Sequence, residues 1–216
     1  MRRRTEISQV EEFKEALESA ASASGVELSS EVVDRLARYY KILHKWNPRL
    51  HLVAPCSPKE FATRHVLESL LLLPHLPTGA RLADIGSGAG LPIIPCLIVR
   101  PDISAMLIES STKKAVFLRE ALKLTETAEA STIVADRFIN VPRPDVDFIT
   151  SRALDRFAET LPSLIEWSPP TSTLLLFGGE ALGLQLRRAG KYSEFPVPDS
   201  EKRFLFVVER IAVESP

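Results

Sequence analysis

The sequence predicts an α/β protein: a doubly wound, mostly parallel sheet with a helical cap before it and an antiparallel edge strand at the C-terminus. After residue 78, short apolar runs typical of strands alternate with longer helical stretches, which is the pattern of βαβ units. A glycine-rich turn, Gly86-Ser87-Gly88-Ala89-Gly90, follows the first of these runs. We therefore expect a helical cap over residues 1–77 and a sheet domain over residues 78–216.

The composition is that of an ordinary globular protein, with 216 residues, 45% hydrophobic and 25% charged. Lys and Arg together number 27 against 28 Asp and Glu, so the net charge of −1 does not draw the whole molecule to nucleic acid. A nucleic-acid site would have to be a local patch. Cys56 and Cys96 stand alone, so we expect no metal site and no disulfide framework. The apolar runs are too short for a membrane span, and we expect a cytoplasmic protein.

Three helices are predicted in the cap. The first covers Ile7 to Ala23, with apolar residues three or four apart on one face. The second follows the capping residues Ser29 and Ser30 and ends before Asn47-Pro48. The third begins near Ser57-Pro58 and ends at Pro74.

The remaining elements alternate along the chain. No strong helix pattern follows the last two apolar runs, so we expect them to form an antiparallel hairpin at the edge of the sheet. The predicted strands are Arg81–Ile85, Ser104–Ile108, Thr132–Val134, Asp147–Thr150, Thr173–Phe177 and Phe204–Ile211, and the predicted helices are Gly90–Val99, Lys113–Leu122 and Ala153–Ile165.

The glycine-rich turn predicts a nucleotide-like ligand, since glycines at a strand end let a ligand approach bare backbone. Dinucleotide sites prefer G-x-G-x-x-G, but here the third glycine is Gly90, and Leu91 stands where that pattern has glycine. Asp84 would repel a pyrophosphate. It would instead stabilise the ammonium group of S-adenosylmethionine, directly or through a water. We therefore predict that Asp84, Gly86, Gly88 and Gly90 bind this cofactor.

The next strand supports that cofactor, because it ends in Glu109, about 20 residues beyond the glycines. A carboxylate there can accept hydrogen bonds from both ribose hydroxyls, and it disfavours a 2′-phosphate. The order of strand, glycine turn, helix, strand and acid predicts a Rossmann-like methyltransferase sheet.

Several blocks of sequence resemble the bacterial glucose-inhibited division protein B family, which methylates guanine N7 in small-subunit ribosomal RNA. The likeness spans residues 35–210 in the right order, and the Arg-His-x-Leu-Glu-Ser and Ser-Arg-Ala blocks are specific to the family. The matching positions are Leu43 to Asn47, Arg64 to Ser69, Asp84 to Pro95, Lys114, Phe117 to Arg119, Arg137, Ser151 to Ala153, and Glu201 to Leu205.

The resemblance implies a set of site residues and partners. Cofactor contacts are implied at Gly86, Leu91, Phe138, Ile139 and Arg152. RNA contacts are implied at Arg137, Arg152 and Arg203. The implied partner is 16S ribosomal RNA within the 30S particle or an assembly intermediate, bound by a monomer.

Four positions depart from the family pattern. Val53 and Ala54 replace polar residues after the tryptophan, Ile93 replaces a usual glycine, and Phe177 stands where a strand-end lysine is expected. The cofactor turn stays intact, so these changes bear on the RNA-facing side and on activity.

The chemistry implied by the resemblance needs no general base, because neutral guanine carries a free lone pair at N7 and positioning is enough. We accordingly assign no residue to proton transfer and take Arg152, Arg203 and His65 as positioning candidates. The four histidines are expected to be structural or solvated. His65 is the strongest candidate among them, since Arg64, His65 and Glu68 lie within one helical turn and can form a polar cluster facing the cleft.

Two other functions fit the same residues. A small-molecule methyltransferase would have an enclosed apolar cavity beneath the cap. A non-catalytic RNA-binding or ribosome-binding protein could retain the fold without activity, and its affinity for the cofactor would distinguish it.

Overall fold

The computed structural model describes residues 2–152, 157–189, 191–198 and 200–209. A seven-stranded sheet forms its centre, with strand order β3-β2-β1-β4-β5-β7-β6. Strands β1 to β5 run parallel, and β7 is antiparallel to both β5 and β6. In chain order the strands are β1 Arg81–Ile85, β2 Ser104–Ile108, β3 Ser131–Val134, β4 Phe148–Ser151, β5 Thr173–Gly178, β6 Ser193–Pro196 and β7 Phe204–Val208.

Helices surround the sheet and build the cap. Those of the cap are α1 Arg2–Ala23, α2 Ser30–Leu50 and α3 Pro58–Phe61, followed by a π-helical turn Ala62–Leu67 and a 3₁₀ segment Leu70–His75. Those of the sheet domain are α4 Ile93–Val99, α5 Thr112–Leu124, α6 Phe157–Trp167 and α7 Glu180–Ala189, with a 3₁₀ turn at Phe138–Asn140.

The predicted parallel sheet is confirmed, and the antiparallel pairing near the C-terminus is confirmed with it. The two predicted strands do pair, as β5 and β7, but they are not joined by a tight hairpin turn. The helix α7 and the strand β6 lie between them along the chain. Neither α7 nor β6 was predicted. The strand β6 is exposed along its whole length, and its sequence has no apolar pattern that would mark it as a strand. Residues 153–156, at the start of the predicted helix Ala153–Ile165, and residues 210–211 of the last predicted strand lie outside the described part.

The second helix runs past its predicted end. It continues through Pro48 to Leu50, where His51 closes it in a left-handed conformation with φ 49°. The side chain of Asn47 donates to the carbonyl of Val53 at 3.1 Å and accepts from its N–H at 3.0 Å. These two bonds hold the following segment against the end of the helix.

The third helix begins as predicted but is not one regular helix. Ser57 and Glu60 form a capping box at its start. The backbone then changes to the π-helical turn and, after Glu68 and Ser69, to the 3₁₀ segment. The turn carries Arg64 and His65, the residues expected near the cleft.

The cap packs on one face of the sheet through a shared apolar core. Phe13, Tyr39 and Phe61 belong to the same buried cluster as Leu82 and Leu107 of the sheet. Buried polar contacts tie α2 to the neighbouring loops: the Tyr39 hydroxyl donates to the carbonyl of Ala89 at 2.7 Å. This bond fixes the cap directly to the glycine-rich turn.

Two of the departures from the family pattern belong to this core. Ile93 is fully buried in α4, and Phe177 is buried in β5 opposite Leu205. Within the described ranges, no helix is long and apolar enough to cross a membrane.

Candidate functional site

The carboxyl ends of strands β1 to β4 open into a cleft of about 810 Å³ between the sheet and the cap. Its sheet side is formed by the glycine-rich turn and by the segments that follow β2 and β3. Its other side is formed by the cap, by Arg152 after β4 and by Thr160. The lining residues are His51, Leu52, Val53, His65, Ile85, Gly86, Ser87, Gly88, Ala89, Leu91, Ile108, Glu109, Ser110, Ser111, Lys114, Asp136, Arg137, Phe138, Arg152 and Thr160.

The glycine-rich turn is shaped by backbone that other residues rarely adopt. Gly86, Gly88 and Gly90 have φ values of 71°, 51° and 84°. Gly86 and Gly88 border the cleft, whereas Gly90 lies below it. A Cβ at Gly90 would lie 2.3 Å from Cδ1 of Ile94 and 3.3 Å from Cδ2 of Leu118. The third glycine therefore allows the turn to pack closely on α4 and α5.

Asp84 is buried beneath the turn rather than in the wall of the cleft. Both of its carboxylate oxygens are shielded from solvent and have no hydrogen-bond partner in the described part of the chain. Burial raises the pKa of Asp84 to about 7; the Ser87 side chain opposes this shift, and the negative charge of Glu109 contributes to it. A buried carboxylate without a partner fits a site that gains a cationic group when its ligand binds.

Glu109 organises the turn as well as facing the cleft. Its Oε2 accepts the N–H of Gly88 at 2.8 Å, and its Oε1 accepts the N–H of Ser111 at 2.7 Å. A carboxylate has about four acceptor positions, so two are left for ribose hydroxyls. The two backbone bonds were not predicted from the sequence.

The segment after β3 forms the far end of the cleft. Phe138 lines it and packs edge-on against Trp167, with ring centroids 5.5 Å apart. Arg137 also lines the cleft, and its contact with RNA stays a prediction. Ile139 does not border the cleft and is 49% exposed, so its predicted cofactor contact stays a prediction.

A polar cluster of His65, Glu68, Arg152 and Arg203, here called the Glu68 cluster, joins the cap to the sheet. Glu68 is buried, with 2% of its side chain exposed, and its Oε1 lies 3.4 Å from Nη2 of Arg152. The same oxygen pairs with Nη2 of Arg203. Arg152 also donates to the carbonyl of Arg64 at 2.8 Å and to Nδ1 of His65 at 2.9 Å. Of the three residues expected to cluster, His65 and Glu68 meet here, whereas Arg64 contributes only its carbonyl and directs its exposed side chain to Glu60. Arg152 and Arg203 complete the cluster.

Burial and charge together set the protonation of this cluster. The pKa of His65 is lowered to about 4, first by burial and then by the charges of Arg152, Arg203 and Arg64. Burial raises the pKa of Glu68, and the arginines beside it oppose that shift. Burial also lowers the pKa of Arg152. At neutral pH the imidazole is therefore uncharged.

The two arginines differ in access to the cleft. Arg152 lines it, but only 11% of its side chain is exposed, and its donors are largely engaged by the cap. Arg203 does not line the cleft, and 35% of its side chain is exposed beside it. Sequence reasoning gave both arginines to RNA and missed that they share one carboxylate, which only the folded chain brings between them.

Comparison with known proteins identifies the family. A family model described as rRNA small subunit methyltransferase G, GidB, matches residues 33–193. The chain belongs to this family. The resemblance seen in the sequence is thereby confirmed, and the match contains the glycine-rich turn, Glu109 and Arg152.

Individual relatives agree with the family model. A ribosomal RNA small subunit methyltransferase G from Neisseria meningitidis serogroup A is 36% identical over 168 residues, covering 78% of this chain and 77% of that protein. The protein of the same name from Xanthomonas campestris pv. campestris is 42% identical over 144 residues, covering 65% and 67%. A SAM-dependent methyltransferase from Aquifex aeolicus shares the fold, with a TM-score of 0.58 at 17% identity over 80% of this chain and 98% of that one.

The buried position of Asp84 predicts that cofactor binding depends on pH. An acid with a raised pKa is protonated in the free protein below about pH 7 and must lose that proton to pair with an ammonium group. Affinity for S-adenosylmethionine should therefore rise as the pH rises toward about 7 and level off above it. In the free protein the raised pKa has the opposite effect on folding, since stability falls as the pH rises from the unfolded-state value toward about 7.

Calorimetric titration across this pH range tests the prediction, and Asp84→Asn is the matched variant. The variant should lose the pH dependence, bind the cofactor more weakly at pH 8, and be more stable than the wild type in the absence of ligand at that pH. An affinity that does not change with pH in the wild type would contradict this assignment.

Proposed function

We propose that the protein transfers a methyl group from S-adenosylmethionine to N7 of a guanine in 16S ribosomal RNA, within the cytoplasmic 30S particle or an assembly intermediate. The observation that carries this proposal is the arrangement of the cleft. A cofactor-type glycine turn with Glu109 lies on one side, and the Glu68 cluster lies on the other. The relatives of the family carry names that state the same class of substrate.

The residues of the sheet side fit the cofactor. Gly86 and Gly88 offer bare backbone to its methionyl end, and Asp84 below them lacks a cationic partner. Glu109 retains acceptor positions for the ribose, and Phe138 offers an apolar face for the adenine. When bound there, S-adenosylmethionine supplies an electrophilic methyl group.

The transfer needs no proton movement. A bond forms between N7 and the methyl carbon as the carbon–sulfur bond breaks, and the positive charge passes from sulfur to the guanine ring. The residues of the cleft therefore have to hold the base in line and exclude water. A neutral His65 suits this role, because a cation beside N7 would oppose the charge that develops on the ring.

RNA contacts are assigned to the rim. Arg137 lines the cleft and is exposed, and Arg203 is partly exposed beside the cap, so both can reach phosphate oxygens. Arg152 is better placed to hold His65 and Glu68 than to bind phosphate. The basic side chains Lys114 and Arg137 line the cleft. They favour a polynucleotide substrate over the small apolar substrate that a small-molecule methyltransferase would bind.

The absence of a proton-transfer step predicts a flat pH profile for the chemical step. With cofactor saturating, the single-turnover rate on 30S particles should change by less than about two-fold between about pH 6 and about pH 8.5, because neither N7 nor His65 titrates there. The measurement is rapid-quench transfer followed by nucleoside analysis. A ten-fold rise per pH unit would show an essential base, and methyl groups on protein or on a small molecule would contradict the proposed substrate.

A further inference from the structure

The tautomer of His65 follows from its partner. Nη2 of Arg152 lies 2.9 Å from Nδ1 of His65. A guanidinium has only donors, so Nδ1 must accept, and the single proton of the neutral ring is on Nε2. The ring therefore has one remaining polar group, an Nε2–H donor.

The ring is also held in place. Phe61 packs edge-on against it with centroids 5.1 Å apart. Arg152 is fixed in turn by the carbonyls of Arg64 and His65 and by the buried carboxylate of Glu68. A donor with a fixed direction at the wall of a cleft is suited to recognising an acceptor on a ligand.

The sheet order indicates which ligand occupies that side. The predicted adenine, ribose and methionyl sites follow the ends of β3, β2 and β1, which are successive neighbours in the sheet. The next neighbour is β4, whose end carries Arg152 against His65. The β4 side of the cleft, where His65 lies, is therefore left for the group that accepts the methyl, and the cap residues Leu52 and Val53 line the cleft as well.

We propose that His65 determines the base specificity of the enzyme, because its Nε2–H donates to O6 of the target guanine and thereby aligns N7 for transfer. This inference rests on the proposed function. Guanine presents two adjacent acceptors, O6 and N7, whereas adenine presents a donor at N6. The same N–H that binds guanine would face the amino group of adenine with no acceptor to bind.

The charges around His65 are compatible with this role. Arg64, Arg152 and Arg203 keep the ring neutral, and Glu68 balances part of their positive charge, while Glu60 lies further out and opposes them weakly. A neutral donor binds O6 without placing a cation on the ring beside N7.

The test compares two substrates at the methylated guanine, which is first located with the wild-type enzyme. The substrates are 30S particles whose 16S RNA carries guanosine or 6-thioguanosine at that position, introduced by splint ligation. Sulfur is a weak hydrogen-bond acceptor, so the wild type should methylate N7 of the thio substrate, giving 7-methyl-6-thioguanosine, about ten-fold more slowly than N7 of guanosine. His65→Phe should be slowed by about ten- to 100-fold on guanosine and should show no further penalty with sulfur.

Two further variants separate recognition from structure. His65→Gln retains an amide donor and should keep the guanosine rate within about three-fold. His75→Phe changes a cap histidine that packs on Phe195 and does not line the cleft, so it should behave as the wild type. Cofactor affinity should stay unchanged in all three.

The outcomes distinguish a failure of the role proposed for His65 from a failure of the proposed methylation of guanine N7. A wild type that methylates N7 equally fast on both substrates would overturn the role of His65 alone, whether or not any variant folds. An equal sulfur penalty in the wild type and His65→Phe would do the same. A wild type that forms no 7-methylguanosine on natural 30S particles would overturn the proposed function and this inference together.

Discussion

Removal of the Glu68 carboxylate is expected to destabilise the protein by about 3–5 kcal/mol, since it leaves a buried guanidinium without its counter-charge. Arg152 has 11% of its side chain exposed and lies 3.4 Å from the Glu68 carboxylate. In Glu68→Ala that charge would remain in a desolvated site. Urea unfolding at neutral pH measures the loss, and methyl transfer should fall with it because Arg152 would no longer hold His65.

The matched control is Glu120→Ala, which removes a glutamate from the helix α5. The Glu120 carboxylate lies 3.9 Å from Nζ of the exposed Lys45, so removing its charge should cost no more than about 1 kcal/mol. Glu68→Ala with a stability within 1 kcal/mol of the wild type would show that the cluster does not secure the cap.

The second large effect is expected at Glu109. In Glu109→Ala the N–H groups of Gly88 and Ser111 lose their acceptor, and the ribose hydroxyls lose theirs. We expect cofactor affinity to fall by about 100-fold, equivalent to about 3 kcal/mol. Calorimetric titration with S-adenosylmethionine measures it directly.

Glu129→Ala supplies the control, because Glu129 is exposed in the loop before β3 and does not line the cleft. That variant should bind as the wild type does. Unchanged affinity in Glu109→Ala, or tighter binding of a nicotinamide dinucleotide than of S-adenosylmethionine by the native chain, would refute the cofactor assignment.

The local sequence pattern was enough to predict the parallel strands of the sheet and the glycine-rich turn that is proposed to bind the cofactor. Each parallel strand contains a short apolar run, and all but β3 end at or directly before glycine, an acid or serine, so β1 to β5 could be located within one or two residues. The spacing of Asp84, the three glycines and Glu109 follows from the backbone needs of a single βαβ unit, and such spacing is visible in a sequence.

What the sequence did not reveal depends on contacts between distant segments. The end of α2 beyond Pro48 is stabilised by the two hydrogen bonds between the Asn47 side chain and the backbone of Val53. The strand β6 forms because it pairs with the edge of β7, and not because its own residues alternate between apolar and polar. Likewise, Arg152 and Arg203 read as RNA-binding residues until the fold brings Glu68 between them. Pairing of this kind is tertiary, so no local pattern predicts it.

The most direct test of the central claim is mass spectrometry of nucleosides from 16S ribosomal RNA of cells that have or lack this protein. RNA from cells with the protein should contain 7-methylguanosine at one position. The same position should be unmethylated in its absence and methylated again when the wild-type chain, but not Glu109→Ala, is restored. Identical 7-methylguanosine content in cells with and without the protein would contradict the proposed function.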